Sequence, residues 1–286
     1  MIYVLVCLII VVAMCLLESQ REKDKLSVER YSFVSSKIDR DCKIVFLSDL
    51  HNKEFSKNNK RLVEEIKKLE PDLICIGGDM IVTKRSKTDF NVLNNLLDEI
   101  FDLCPIVYAN GNHELRLYRD DCKEKYGKYK DEFEDALSIN NVIYLNDKYY
   151  DFGNLRIYGL ELDKNCYRHF WSSKMSDDYV ERHLNSIDPN KYNILLAHSP
   201  LFFDKYAKWG ADLTLAGHFH GGVLRIDKQG VLTSQWQLFH KWCCGLFNIG
   251  NSSMIVSRGL GGHTINVRLN NLPEISYIEL KTEDNK

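Results

Sequence analysis

An α/β domain built on two sheets, preceded by an apolar N-terminal helix, is what this sequence predicts. In the first half, short continuous apolar runs alternate with amphipathic stretches, the pattern of strands in a sheet covered on both faces. The second half is richer in short strands separated by turn residues and reads as the more antiparallel part. The first residues, Met1 to Leu17, carry no side-chain charge. Overall, 286 residues balance 38 Lys plus Arg against 40 Asp plus Glu, with 44% hydrophobic and 27% charged residues. Those values fit a folded chain with a sizeable core, not a disordered one. A net charge of −2 gives no basic stripe, so nucleic acid is not an expected partner.

As a helix, Met1 to Leu17 would span roughly 25 Å, slightly less than a ~30 Å hydrocarbon core. An export signal needs basic residues ahead of the apolar run and small residues at the cut, and this chain has neither. Residues 1–17 are therefore expected to be an uncleaved single-pass anchor in the cell membrane; the alternative is a buried element of a soluble protein. Arg21, Lys23, Lys25, Arg30, Lys37, Arg40 and Lys43 follow the run and no basic side chain precedes it, so the positive-inside rule puts the body in the cytoplasm. Nine cysteines without a CxxC pair or a regular framework suit a reducing compartment.

Residues 18–41, mixed in charge, read as a tether, and residues 42–286 as the folded domain. Lys43 to Leu47 is the first strand, and Leu62, Ile66 and Leu69 repeat at helical spacing after it. Asp72 to Ile76 is the next strand, Val92 to Ile100 the next helix, and Pro105 to Ala109 the third strand. Val142 to Leu145, Tyr149 to Phe152 and Leu155 to Tyr158 suggest a meander. A helix near Asp177 to Leu184 precedes strands at Tyr192 to Ala197 and Asp212 to Ala216. Val223 to Ile226, Met254 to Val256 and Ile275 to Leu280 complete the β pattern.

The strands end in a distinctive set of residues: Asp49-Leu50-His51, Gly77-Gly78-Asp79, Gly111-Asn112-His113-Glu114, His198, and Gly217-His218-Phe219-His220-Gly221-Gly222. In an open α/β sheet the carboxyl ends of neighbouring strands converge on one crevice, so five loops deliver carboxylates, imidazoles and an amide to one place. Mixed Asp and imidazole ligands suit Mn²⁺, Fe²⁺ or Zn²⁺ better than Ca²⁺. Each tripeptide alone has structural uses; their joint occurrence after successive strands points to metal.

With those motifs in this order, the chain resembles the calcineurin-like metallophosphoesterases over roughly Lys43 to Leu280. Within them it is similar to the membrane-associated phosphodiesterases of the YkuE and YaeI type and, more distantly, to the UDP-2,3-diacylglucosamine hydrolases. Ser257-Arg258-Gly259-Leu260-Gly261 and Asn271-Leu272-Pro273-Glu274-Ile275 add to that similarity. The resemblance implies a four-layer α/β/β/α sandwich. It also implies two divalent metal ions, Mn²⁺ foremost, one held by Asp49, His51, Asp79 and His220 and the other by Asp79, Asn112, His198 and His218. In the family the position of His113 contacts the phosphate and protonates or stabilises the leaving oxygen, so Asn112 and His113 are expected to meet the substrate. Phe219 and Val223 stand where the subgroup often has Thr and Gln, which bears on pocket shape.

The expected reaction is hydrolysis of a phosphodiester or pyrophosphate bond, in a lipid-linked substrate, by a metal-bridging hydroxide. The alternatives are a phosphatase or cyclic-nucleotide phosphodiesterase on a soluble substrate, and a metal-binding scaffold without turnover. Lys241, Arg258 and Arg268 are further phosphate contacts expected on charge grounds. The aromatic stretch Trp236 to Phe247, including His240 and Trp242, is expected to form an apolar lip for a lipid tail or the membrane surface. Arg168, His169 and Trp171 lie in a second polar and aromatic insert whose default reading is ordinary packing.

Overall fold

The computed structural model describes residues 1–83, 88–168, 174–227, 229–262 and 266–283. Helix α1 (Ile2–Lys23) leads into β1 (Ser27–Ser35), after which β2 (Cys42–Leu47), α2 (Lys60–Lys68), β3 (Leu73–Ile76), α3 (Asn91–Ile100) and β4 (Ile106–Tyr108) alternate. Helices α4 (Asn112–Tyr118), α5 (Lys123–Tyr126) and α6 (Lys130–Ile139) bring the chain to β5 (Ile143–Tyr144). The second half holds β6 (Lys148–Phe152), β7 (Leu155–Gly159), α7 (Tyr179–Leu184), β8 (Tyr192–Leu196), α8 (Phe203–Trp209) and β9 (Leu213–Ala216). A short hairpin, β10 (Arg225–Ile226) and β11 (Gln229–Gly230), precedes β12 (Gly245–Ile249), β13 (Ser252–Val256) and β14 (Glu274–Thr282).

One sheet has the order β1-β14-β2-β3-β4-β5 and the other β12-β13-β9-β8-β7-β6. Their inner faces meet in an apolar layer that joins Ile44 and Phe46 of β2 and Cys75 of β3 to Ile157, Ile194 and Leu215 of the second sheet. The outer face of the first sheet packs Val45, Ile74 and Ile76 against Leu62, Ile66, Leu93 and Phe133 of its helices. The outer face of the second packs Leu195 and Val256 against Val180, Phe203 and Tyr206. The alternation of core faces along each strand thus produces four layers, helix, sheet, sheet and helix, as the resemblance implied.

Three expectations need correction. The segment read as a tether is instead the last turn of α1 followed by β1, which runs parallel to β14 from Ser27 opposite Glu274 to Ser35 opposite Thr282. Alternate residues explain it: Tyr31 and Phe33 pack on the inter-sheet layer and Val28 on the outer one, a period-2 pattern obscured by Glu29 and Arg30. The second sheet is also less antiparallel than expected, because β13, β9, β8 and β7 are mutually parallel and only the flanking β12 and β6 run antiparallel. Strands β8 and β9 are buried on both faces, and α7 and α8 supply the crossovers that parallel pairing needs. Strand β5 pairs with β4 in the first sheet, so it belongs to no meander with β6 and β7.

Helix α1 has 22 residues and is long and apolar enough to cross a membrane. At 1.5 Å per residue it reaches about 33 Å. Its apolar side chains from Ile2 to Leu17 are exposed, while Ser19 and Glu22 near its end are buried against the domain.

Candidate metal centre

The site lies where the carboxyl ends of parallel strands from both sheets converge. The loop after β2 carries Asp49 and His51, the loop after β3 carries Asp79, and the turn into α4 carries Asn112 and His113. The second sheet contributes His198 after β8 and His218 and His220 after β9. All eight are largely buried, His51 included at side-chain level. Asp49, His51, Asp79, His218 and His220 all have φ between 48° and 68°, the left-handed region that a side chain with Cβ adopts at a cost. Such strain concentrated on one group of polar residues is a mark of a functional site.

Backbone bonds hold the loops together. His218 N donates to Asp49 Oδ1 and Oδ2 at 3.1 and 3.0 Å, and His113 N donates to Asp79 Oδ1 at 2.7 Å. Ser48 Oγ donates to Asp49 Oδ2 at 2.6 Å. Glu114 ties two loops: its carboxylate accepts from Asp79 N, Met80 N and Gly111 N at 2.8, 2.9 and 3.0 Å and from the Tyr108 hydroxyl at 2.8 Å. Gly111 admits no side chain, since a Cβ there would overlap Asp79. Likewise, Gly217 faces Ser48 and Asp49.

These bonds leave one oxygen of each aspartate facing inward. Asp49 Oδ1 lies 3.2 Å from His220 Nε2, 3.7 Å from His198 Nε2 and 3.9 Å from His51 Nε2. Asp79 Oδ2 lies 3.4 Å from His198 Nε2 and 3.7 Å from His51 Nε2. The inward amide atom of Asn112 is 2.8 Å from His218 Nδ1 and 3.3 Å from Asp79 Oδ2. Turning the amide so that nitrogen points inward would satisfy those hydrogen bonds but remove an oxygen ligand; oxygen inward gives three lone pairs converging on one point, which suits a cation. Asp49, His51 and His220 form one compact donor group, and Asp79, His198 and His218 another.

Ring hydrogen bonds distinguish His113 from His198 and His220. His198 Nδ1 lies 2.7 Å from Gly77 O and His220 Nδ1 lies 3.3 Å from Gly261 O, so each ring donates through Nδ1 and turns Nε2 toward the aspartates, where a metal would displace any proton it carries. His198 Nε2 is buried without a hydrogen-bond partner. His113 is the reverse: Thr83 N donates to its Nδ1 at 2.8 Å, so the neutral ring bears its proton on Nε2, which then has no lone pair to offer. His113 falls within reach of His51 and Asp79 as a third donor group, but its tautomer makes it a hydrogen-bond donor there.

Burial and mutual repulsion set the charges. Burial pushes His51 down to about 4 and, with the charge of His198, His218 down to about 3, leaving both neutral at pH 7. Burial acts the same way on His198, but Asp79 and Asp49 outweigh it and push that ring up to about 10. Two buried carboxylates thus demand positive charge in their midst, and divalent cations satisfy that demand. Burial works against ionisation of Asp49 and Asp79 as well, yet the surrounding histidines hold both below the usual carboxylate range.

The residues expected as additional phosphate contacts are used differently. Arg258 is buried, with Nε donating to Glu274 at 2.7 Å, and Nη2 to Ser27 Oγ at 2.7 Å and to Glu29. Arg268 is buried and donates to the carbonyls of Arg258, Gly259, Gly261 and Asn271. Lys241 lies over the Trp242 ring, 4.0 Å from its centroid. Arg258 and Arg268 are therefore internal braces, because their buried guanidiniums already have acceptors. Within the expected lip, Trp242, Cys243 and Cys244 are buried, His240 packs on Phe219, and Trp236, Leu238 and Phe239 are exposed. Arg168 is exposed and its carbonyl accepts from Gln235 Nε2; His169 and Trp171 lie outside the described residues.

Tyr167 and Glu161 belong to the surroundings although no motif marked them. The Tyr167 ring stands edge-on to His218, centroids 5.1 Å apart, and walls one side of the site. Glu161 accepts from Asn110 Nδ2 at 2.6 Å, and burial pushes it up to about 8. Glu114, by contrast, had a visible signal: an acid three residues after the glycine that opens α4 can reach back to the free N–H groups there.

Residues 42–222 match the calcineurin-like phosphoesterase family. The chain belongs to that family. It is similar to the uncharacterized metallophosphoesterase YkoQ of Bacillus subtilis, 25% identical over 242 residues that span 83% of each chain. A metallophosphoesterase of Aquifex aeolicus is 27% identical over 270 residues, 91% of this chain and 94% of that one. The phosphodiesterase YaeI of Escherichia coli is 25% identical over 243 residues, 83% of this chain and 82% of the other. As a calcineurin-like phosphoesterase with this donor set, the protein is a metal-dependent phosphoester hydrolase.

Proposed function

We propose that the protein is a dinuclear phosphodiesterase that cleaves a phosphodiester or pyrophosphate bond in a lipid-linked substrate at a membrane, with its catalytic domain in the cytoplasm. The observation that carries the reading is the pair of donor groups, Asp49-His51-His220 and Asp79-His198-His218, with Asp79 also facing His51. Asp49, His51, Asp79 and His220 would hold one cation and Asp79, Asn112, His198 and His218 the other, with Mn²⁺ the leading candidate on ligand type. When bound, such ions supply charge neutralisation at phosphoryl oxygens and a more acidic water.

The protein's own contributions follow from the hydrogen bonds. Glu114 fixes Asp79 and the turn at Gly111 in one register, so the ligands are set before substrate arrives. His113 offers Nε2–H to a phosphoryl or leaving oxygen. Full transfer of that proton from the neutral ring would leave an imidazolate, so the geometry supports stabilisation by a hydrogen bond over proton delivery. The lipid-linked substrate is supported by α1; the pocket beside His220, lined with Phe219, Val223, Leu232, Thr233, Ser234, Trp236 and Val267, has only about 30 Å³ of free space and does not itself seat an acyl chain. Phe219 and Val223, in place of the polar residues common in the subgroup, give that pocket an apolar side opposite Thr233, Ser234 and Arg268.

The test is a substrate panel with Mn²⁺: bis-p-nitrophenyl phosphate, p-nitrophenyl phosphate, and nucleotide diphosphate esters carrying acyl chains. Hydrolysis of the diester and the acylated esters, with little on the monoester, is expected. Preference for the monoester would favour a soluble-substrate phosphatase, and inactivity on all of them a non-catalytic scaffold.

A further inference from the structure

The base of α1 is built into the same braces that hold the metal-binding loops. Ser19 Oγ accepts from Arg268 N at 2.9 Å and Glu22 Oε2 accepts from Asn271 N at 3.1 Å; Ser19 and Glu22 are 2% and 6% exposed. Asn271 Nδ2 donates in turn to His220 O at 2.7 Å and Gly222 O at 2.6 Å. The Arg268 guanidinium donates to Gly259 O and Gly261 O at 3.0 and 2.6 Å, and Gly261 N donates back to Asp49 O at 2.6 Å. Lys23 Nζ donates to Asn266 O at 3.0 Å. Two hydrogen bonds therefore separate the helix from the His220 loop and three from the Asp49 loop, and α1 is a strut with fixed placement on the domain.

Next to this strut the surface is apolar without being covered. Trp236, Leu238 and Phe239 are 43%, 67% and 57% exposed, and Trp236 lines the same pocket as Val267 and Arg268, the segment that grips α1. Arg21, Lys23 and Lys25 sit at the base of the helix among Glu18, Glu22 and Asp24, a charged collar of the kind that ends an apolar span at the headgroup level. An aromatic and aliphatic tip beside a long apolar helix that ends in a charged collar is the composition of an interfacial membrane contact.

We propose that Trp236, Leu238 and Phe239 form a second membrane contact that rests on the bilayer surface, and that α1, clamped through Arg268 and Asn271, holds the His220 side of the site toward the lipid headgroups. This deepens the lipid-substrate reading above, but contact with the bilayer does not depend on which bond is cleaved.

The experiment uses the full chain reconstituted in phosphatidylcholine and phosphatidylglycerol vesicles, with or without brominated acyl chains that quench nearby tryptophan. The loss of emission caused by brominated lipid should fall by at least a third in Trp236→Phe, with bound metal unchanged as the check on folding. An equal loss in wild type and Trp236→Phe would overturn the contact. In Ser19→Ala/Glu22→Ala, which frees the base of the helix, quenching of Trp236 should weaken; full quenching there would overturn the strut. Neither readout needs a lipid substrate, so failure of the substrate panel and failure of the docking are separable.

Discussion

His113 is the residue where structure sharpens chemistry most. The resemblance keeps it out of both ligand sets but leaves open whether it protonates the leaving oxygen or stabilises it by a hydrogen bond. The Thr83 N–H at Nδ1 makes the choice, and Arg116 Nη1, 3.3 Å from the same atom, reinforces it. His113→Ala should therefore keep its bound metal and lose turnover by roughly 10²–10³-fold, the scale for one donor to developing negative charge. Metal analysis alongside kcat checks this, and a variant stripped of metal would show that His113 is a ligand after all. The aspartates and the other histidines were legible because five strand ends announce them in order. Tyr167 was not, since a tyrosine packed on an imidazole leaves no local pattern, and neither was the bracing use of Arg258 and Arg268, which depends on partners such as Glu274, Ser19 and distant carbonyls.

At the level of elements, continuous apolar runs gave β2, β3, β4, β8 and β9 cleanly because burial on both faces makes nearly every residue hydrophobic. Strand β1 escaped for the opposite reason: an edge strand exposes every second residue, and Glu29 and Arg30 gave it the look of a linker. Helix α8 escaped because it is short and follows Pro200-Leu201-Phe202, a run that reads equally as loop. The correction has a consequence for truncation. A chain beginning at Ser19 should remain soluble and fold cooperatively, whereas one beginning at Cys42 loses β1, uncovers the edge of β14 and removes Glu29 and Ser27 from Arg258. Loss of these partners for a buried guanidinium costs on the order of 3–5 kcal/mol. Thermal melts of the two chains decide it; equal midpoints would mean that β1 contributes nothing to the fold.

For the whole molecule, two sheets pack face to face and the convergence of their strand ends creates a concentration of buried charge that the fold alone does not neutralise. Ligands that bind the native state and not the unfolded one stabilise it, by about 2.7–4.1 kcal/mol at 100 to 1,000 times their dissociation constant. Chelator should then lower the melting temperature by roughly 5–15 °C for a domain of this size, and Mn²⁺ should restore it. The same charge balance explains how a chain with a net charge of −2 can attract a phosphoester: the attraction is local and belongs to the bound ions, not to the surface as a whole. The central claim is that Asp79 is shared by two cation sites on which hydrolysis depends. Its most direct test is metal content and bis-p-nitrophenyl phosphate turnover measured together in wild type and Asp79→Asn. Two bound ions per chain with turnover in the wild type, and fewer than two with turnover reduced at least 10³-fold in the variant, is the expected result; a variant that holds both ions and turns over at the wild-type rate would contradict it.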